Sequence, residues 1–172
     1  MAGIAPKRRV APAARGQRFA VVAARFNEPI TKKLLDGALT ALADHAVTGH
    51  AVEVHWVPGS FELAQAALTL ARSGRFAGVI CVGVVIKGST PHFDYVCSAA
   101  AQGILRAGLD TSVPVTFGVV TALTEEQAWE RAGGAVGNRG EEAALAALEM
   151  AGWLRTQAGR RARTRPGRRS AG

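Results

Sequence analysis

Residues 79–86 read VICVGVVI, with no charged or strongly polar side chain at either odd or even positions. A strand of that kind, here Ala77–Ile86, must be covered on both faces, which is the condition of a central strand in a parallel sheet. Parallel strands need crossover connections, and helical patterns flank this run on both sides. Phe19–Ala24 and Ala51–Val57 are predicted strands before it, and Val115–Val120 is one after it. Between them, Asn27 and Pro29 open a helix that carries Ile30, Leu34, Leu35, Ala38, Leu39 and Leu42 on one face. Further helices are predicted from about Ser60 to Arg72 and from Pro91 to about Leu109. Thr124–Gln127 is a capping box for a short helix, and Asn138–Glu141 opens a last helix that ends near Leu154. Alternation of this kind implies a parallel sheet between helices on both faces.

A chain of 172 residues with 48% hydrophobic and 20% charged residues is one globular domain with loose ends. Residues 1–17 form a flexible basic arm, 18–154 the body, and 155–172 a disordered Arg-rich tail. The net charge of +8 belongs to the ends. Eleven of the 21 basic residues lie in the arm and the tail, where there is no acid. Ten basic residues against all 13 acids leave the body at −3, so any affinity for nucleic acid must reside in the ends. No apolar run approaches membrane length and no signal-like block follows the start, so the cytoplasm is the expected location. Cys81 in a strand and Cys97 in a helix read as free thiols. The four scattered histidines and the unpaired cysteines offer no metal site.

In sheets of this class ligands bind beyond the carboxyl ends of the strands. The segments there are Arg25–Asn27, Pro58–Glu62, Ile86–Asp94 and Thr121–Thr124. In KGSTPHFDY (87–95), Thr90 is placed to cap a helix with Pro91 at its first position. The N–H groups of Ser89 and Thr90 then face an anion, as an ordinary capped helix would also allow. His92 lies in the first turn, where the dipole disfavours the imidazolium; it reads as a proton shuttle or a surface histidine. Arg139 faces the positive end of its helix, a placement that a bound anion would favour, and Arg131 ends the short helix. Phe26 could stack on a flat ring or close the core, and Glu62 could accept from ligand donors or complement a dipole. Phe117 reads as core unless a subunit interface exposes it. His45, His50 and His55 read as structural, and Trp56, Trp129 and Trp153 as packing residues.

Six pieces in order resemble one family: RFN (25–27), VPGSFEL (57–63), GVVIKGSTPHFDYV (83–96), PVTFGVVT (114–121), EQAWERAG (126–133) and NRGEEAALAALEM (138–150). The chain is similar over about residues 18–154 to lumazine synthase. The resemblance implies a flavodoxin-like three-layer α/β/α domain with a four-stranded parallel sheet in order 2-1-3-4. It implies condensation of 5-amino-6-ribitylaminouracil with 3,4-dihydroxy-2-butanone 4-phosphate to 6,7-dimethyl-8-ribityllumazine, phosphate and water, without metal or organic cofactor. By the same resemblance His92 transfers protons and Phe26, beside Asn27, stacks on the pyrimidine. Ser60, Phe61 and Glu62 with Val84, Val85 and Ile86 hold the uracil and ribityl groups. Ser89, Thr90 and Arg131 hold phosphate, Arg139 stands where lysine is usual, and Phe117 covers the site of a neighbouring subunit. Ala64 stands where the family commonly has proline.

The resemblance further implies a homopentamer, in some members a shell of twelve pentamers, and leaves open an association with riboflavin synthase. Two rival readings have other outcomes. A non-catalytic shell protein would assemble without forming lumazine, and a nucleic-acid binder would act through the Arg-rich tail.

Overall fold

The computed structural model describes residue 14 and residues 16–164, and for 161–164 only the backbone. Four parallel strands form the sheet: β1 (Phe19–Ala24), β2 (Val52–Val57), β3 (Gly78–Ile86) and β4 (Val115–Ala122). Their order is β2-β1-β3-β4, with Phe19 opposite both Val52 and Gly78, and Val79 opposite Val115. This is the expected flavodoxin-like arrangement. Both inner strands are apolar: all of β1 is buried, and so are the first seven residues of β3.

Helices cover the two faces. α1 (Glu28–Asp44) and α5 (Arg139–Thr164) share one core with Phe19, Val21, Ile80 and Val82. α2 (Leu63–Arg72) and α3 (His92–Thr111) share the other with Ala20, Val22, Val79 and Cys81. The alternation of strand side chains thus divides one sheet between two cores. Each large side chain buried there contributes about 1.5–3 kcal/mol. Every crossover returns the chain to the amino edge, so the turns that leave β1, β2 and β3 all sit at the opposite edge.

Several expectations need correction. α2 begins at Leu63, not near Ser60, because Pro58–Glu62 form a turn in which the Glu62 carboxylate accepts from the Gly59 N–H at 2.9 Å. Thr90 does not cap α3: Pro91 occupies the cap position, and no side chain bonds to the helix start there. The last helix continues ten residues past Leu154, so the expected disordered tail is helical through Thr164. Residues 155–164 include Arg, Gln and Ala, all strong helix formers, and the first proline comes at 166. The remainder of that tail, 165–172, lies outside the described residues, as do 1–13 and 15 of the arm. Ala14, expected within a loose arm, is buried and its N–H donates to the His45 carbonyl at 3.2 Å.

A two-stranded antiparallel hairpin without a sequence signature, β5 (Ala132–Gly134) with β6 (Gly137–Asn138), lies between α4 (Glu125–Glu130) and α5. It is too short to show periodicity. Thr124 caps α4 by accepting from the Gln127 N–H at 3.3 Å, and Asn138 caps α5 by accepting from the N–H groups of Gly140 and Glu141. Trp129 and Trp153 are not core residues; both are exposed, and the Trp129 indole donates to Glu125. Cys81 and Cys97 are free thiols. No described helix is long and apolar enough to cross a membrane.

Candidate active site at the carboxyl edge of the sheet

A cavity of about 540 Å³ lies where β1, β2 and β3 end and α3 begins. Three turns build it. After β1, the Arg25 and Phe26 N–H groups donate to the carbonyls of Val57 and Pro58, at 2.9 and 3.1 Å, which extends the β1–β2 pairing past the strands. The next residue, Asn27, has φ 58° and ψ 40°. Asparagine tolerates that left-handed conformation better than most residues. The bend carries Phe26 into the cavity wall with 73% of its surface exposed, so it does not close the core. Asn27 holds the cap position of α1 but directs its side chain elsewhere, donating to the Val84 carbonyl of β3.

The turn after β2 supplies Ser60, Phe61 and Glu62. Phe61 is exposed at the rim, whereas Ser60 is only 4% exposed and its hydroxyl has no hydrogen-bond partner. Unpaired buried hydroxyls cost roughly 1–3 kcal/mol, so one that lines a cavity is poised for a ligand atom. Gly83 makes room for it: a Cβ there would stand 2.8 Å from the serine Oγ. Val84, Val85 and Ile86 at the end of β3 form a further wall. Thr90 and His92 close the side at the start of α3, and His92 is exposed to solvent there.

Ten of the fourteen expected residues therefore meet around one space: Phe26, Asn27, Ser60, Phe61, Glu62, Val84, Val85, Ile86, Thr90 and His92. Ser89 is exposed next to this group without lining the cavity. Within the single chain, Phe117, Arg131 and Arg139 do not reach it. Phe117 projects from β4, the far edge strand, and is 43% exposed. Arg131 is the cap residue ending α4; its guanidinium donates to the Gln127 carbonyl at 2.9 Å. Arg139 opens α5 and pairs with Glu142. The two arginines are neighbours, because the Arg139 N–H donates to the Arg131 carbonyl at 2.9 Å. Their hairpin is held against α1 by the Asn138 side chain, which donates to the Lys33 carbonyl at 2.8 Å.

The cavity also takes in Gly59, Gly88, Phe93 and Val96, which were not singled out from the sequence. Phe93 and Val96 stand three residues apart on α3 and so share a face, a signal that could have found them. Neither thiol is an activated nucleophile. Burial pushes Cys81 up to about 12, and burial together with the Asp94 carboxylate raises Cys97. Among the described residues no group of three or more His, Cys, Asp or Glu side chains could hold a metal ion.

The arrangement is a largely apolar slot with an exposed aromatic ring, one buried hydroxyl, one carboxylate and an imidazole at a helix start. It can hold a flat polar heterocycle and move protons beside it. A family model described as 6,7-dimethyl-8-ribityllumazine synthase matches residues 16–155.

Proposed function

The chain belongs to the 6,7-dimethyl-8-ribityllumazine synthase family, and on that premise we propose that it condenses 5-amino-6-ribitylaminouracil with 3,4-dihydroxy-2-butanone 4-phosphate. Family membership supports a role in riboflavin biosynthesis. The observation that carries the specific reaction is the partnerless, buried Ser60 hydroxyl in the same cavity as Phe26 and His92. The pyrimidine stacks on Phe26, with Ser60 and Glu62 taking its polar edge and the ribityl hydroxyls. The butanone phosphate occupies the His92 side, near Ser89 and Thr90.

The chemistry suits such a site. The uracil's amine adds to the ketone and water leaves, giving an imine. Phosphate departs by β-elimination, and the second nitrogen closes the ring with loss of water. Protons move at each step and no covalent bond to the protein is required, so one imidazole, His92, is a sufficient relay. Holding the two reactants together supplies much of the acceleration by removing the entropic cost of their encounter.

The phosphate end needs cations, and within one chain Arg131 and Arg139 stand apart from the cavity. In this reading a second copy supplies them. Phe117, Arg131 and Arg139 of one subunit complete the cavity of the next, in a cyclic homopentamer with head-to-tail contacts. Exposed Phe117, Tyr95, Leu105 and Leu109 are apolar side chains available for such contacts. Arg139 then serves as a planar fork for phosphate, where a lysine would be a point charge.

The test is direct. The purified protein is mixed with the two substrates and the fluorescence of the lumazine product is followed. Product that needs both substrates is expected; a folded protein that forms none overturns the assignment.

A further inference from the structure

Arg131 and Arg139 are the cations of the proposed phosphate end, and seven residues separate them. Five of these, 133–137, are exposed, so little packing holds the hairpin that joins the two arginines. Ala132 is buried in the core shared with α1, and Asn138 is half-buried. The Asn138 side chain makes up the deficit. Its Oδ1 accepts from the N–H groups of Gly140 and Glu141, at 2.9 and 3.1 Å, and its Nδ2 donates to the Lys33 carbonyl at 2.8 Å. Its backbone pairs with Ala132 across the hairpin. One amide therefore ties together the start of α5, the hairpin and the middle of α1.

α1 is shaped to receive that amide. A Cβ on Gly37 would stand 2.5 Å from both Nδ2 and Oδ1 of Asn138, so the glycine leaves a socket that a larger residue would fill. Gly140 lies equally close, its backbone against the Leu34 carbonyl. Arg139 is thus bracketed by two residues seated on α1, and its N–H donates to the Arg131 carbonyl at 2.9 Å. The backbone positions of both arginines follow from the seat of Asn138.

We infer that Asn138 is a positioning residue for the phosphate of the butanone substrate, acting through Arg131 and Arg139, with Gly37 as the socket that seats it. The inference rests on the reading above, in which those arginines bind phosphate. Asn138 itself does not line the cavity of Phe26 and His92. A guanidinium grips phosphate with two parallel N–H donors, a geometry that fails when its backbone shifts or turns. Misplacement by about 1 Å, caused far from the chemistry, can cost as much as 10²-fold.

Two variants approach the seat from opposite sides. Asn138→Ser keeps a side-chain oxygen to cap α5 but is too short to reach the Lys33 carbonyl. Gly37→Ala leaves Asn138 intact and crowds its amide off α1, while alanine itself favours that helix. Asn138→Ser only removes atoms, so it keeps the test open if the crowded Gly37→Ala chain does not fold. Each is compared with the parent chain by steady-state kinetics and by calorimetric titration with inorganic phosphate. The KM for the butanone phosphate and the Kd for inorganic phosphate are expected to rise at least about tenfold in both. The KM for the uracil and kcat should stay within about twofold of the parent values, because Phe26, Ser60 and His92 lie on other turns. An asparagine that merely stabilised the fold would lower the denaturation midpoint and leave these constants alone. Unchanged phosphate affinity in the folded variants, or an equal rise for the uracil, overturns the proposal, as does a parent chain that binds no phosphate. A parent chain that binds phosphate but forms no lumazine removes the reaction assigned above, and weaker phosphate binding by the variants then still upholds the role of Asn138.

Discussion

The side-chain amide of Asn27 donates to the carbonyl oxygen of Val84 at 3.1 Å, so the turn that leaves β1 is tied directly to the end of β3 beneath the cavity. One residue thereby turns the chain, starts α1 and fixes the spacing between two cavity walls. Asn27→Gly should lose the bond, at about 1 kcal/mol, but also free the left-handed position of its Cβ, whereas Asn27→Ala should lose the same bond and keep the Cβ, leaving it about 1–2 kcal/mol less stable than the glycine variant. Denaturant midpoints of the two variants separate these contributions. Equal midpoints would mean that the backbone relaxes out of that conformation.

His92 and Arg131 stand apart in one chain, and the proposed reaction brings them together across a subunit boundary. His92→Ala should lower turnover by roughly 10²- to 10⁴-fold with little change in uracil affinity. Arg131→Ala should chiefly raise the KM for the butanone phosphate. Co-folding the two variants should restore up to roughly a quarter of the wild-type activity, because head-to-tail sites pair an intact His92 with an intact Arg131 at random. No recovery in mixed oligomers would argue that each site is built by one chain.

Two glycines of α5 make opposite demands. At Gly140 an added Cβ would lie 1.9 Å from the Leu34 carbonyl oxygen, backbone that cannot move aside cheaply. Gly140→Ala should therefore cost about 3 kcal/mol or more, or prevent folding. At Gly159 nothing stands within 4 Å. Gly159→Ala should strengthen the outer turns of the helix by about 0.5–1 kcal/mol, visible as added helicity at 222 nm with little change in the global unfolding midpoint.

Burial of Cys81 sets a pH dependence. Its thiol is held at about 12 in the fold, against an ordinary 9.0. The unfolded chain loses that proton first, so this group has no effect on stability below pH 9. As pH rises from there toward 12, stability falls by about 1 kcal/mol per pH unit. Urea midpoints across that range should show the slope, and Cys81→Ala should flatten it. An unaltered slope in the variant would place the titration elsewhere.

Much of the fold was legible because it depends on local patterns. An eight-residue run without polar side chains, at 79–86, required a strand covered on both faces, and the helical periods around it required crossovers. The segments after the strands contain eight of the ten cavity residues, because strand ends in such sheets converge, whereas Val84 and Val85 lie within β3 and were implied only by the family resemblance. Other features left weaker traces. Ser60–Glu62 read as helix, since a carboxylate bonded to the N–H three residues before it is invisible in one dimension. Thr90 read as a cap, but the geometry of Pro91 takes the cap position. The β5–β6 hairpin was too short for any period to register.

The sequence by itself therefore determined the layers, the strand order once the family resemblance was drawn, and which residue types flank the carboxyl edge. Those follow from periodicity and from spacing along the chain. Tertiary structure alone decided that the Ser60 hydroxyl is buried without a partner, that Asn27 reaches Val84, and that α5 exposes Arg155 and Arg160 beyond the pole of the domain where Ala14 enters. Each depends on the distance between residues far apart in sequence, and such distances are settled only when the side chains of both cores are packed.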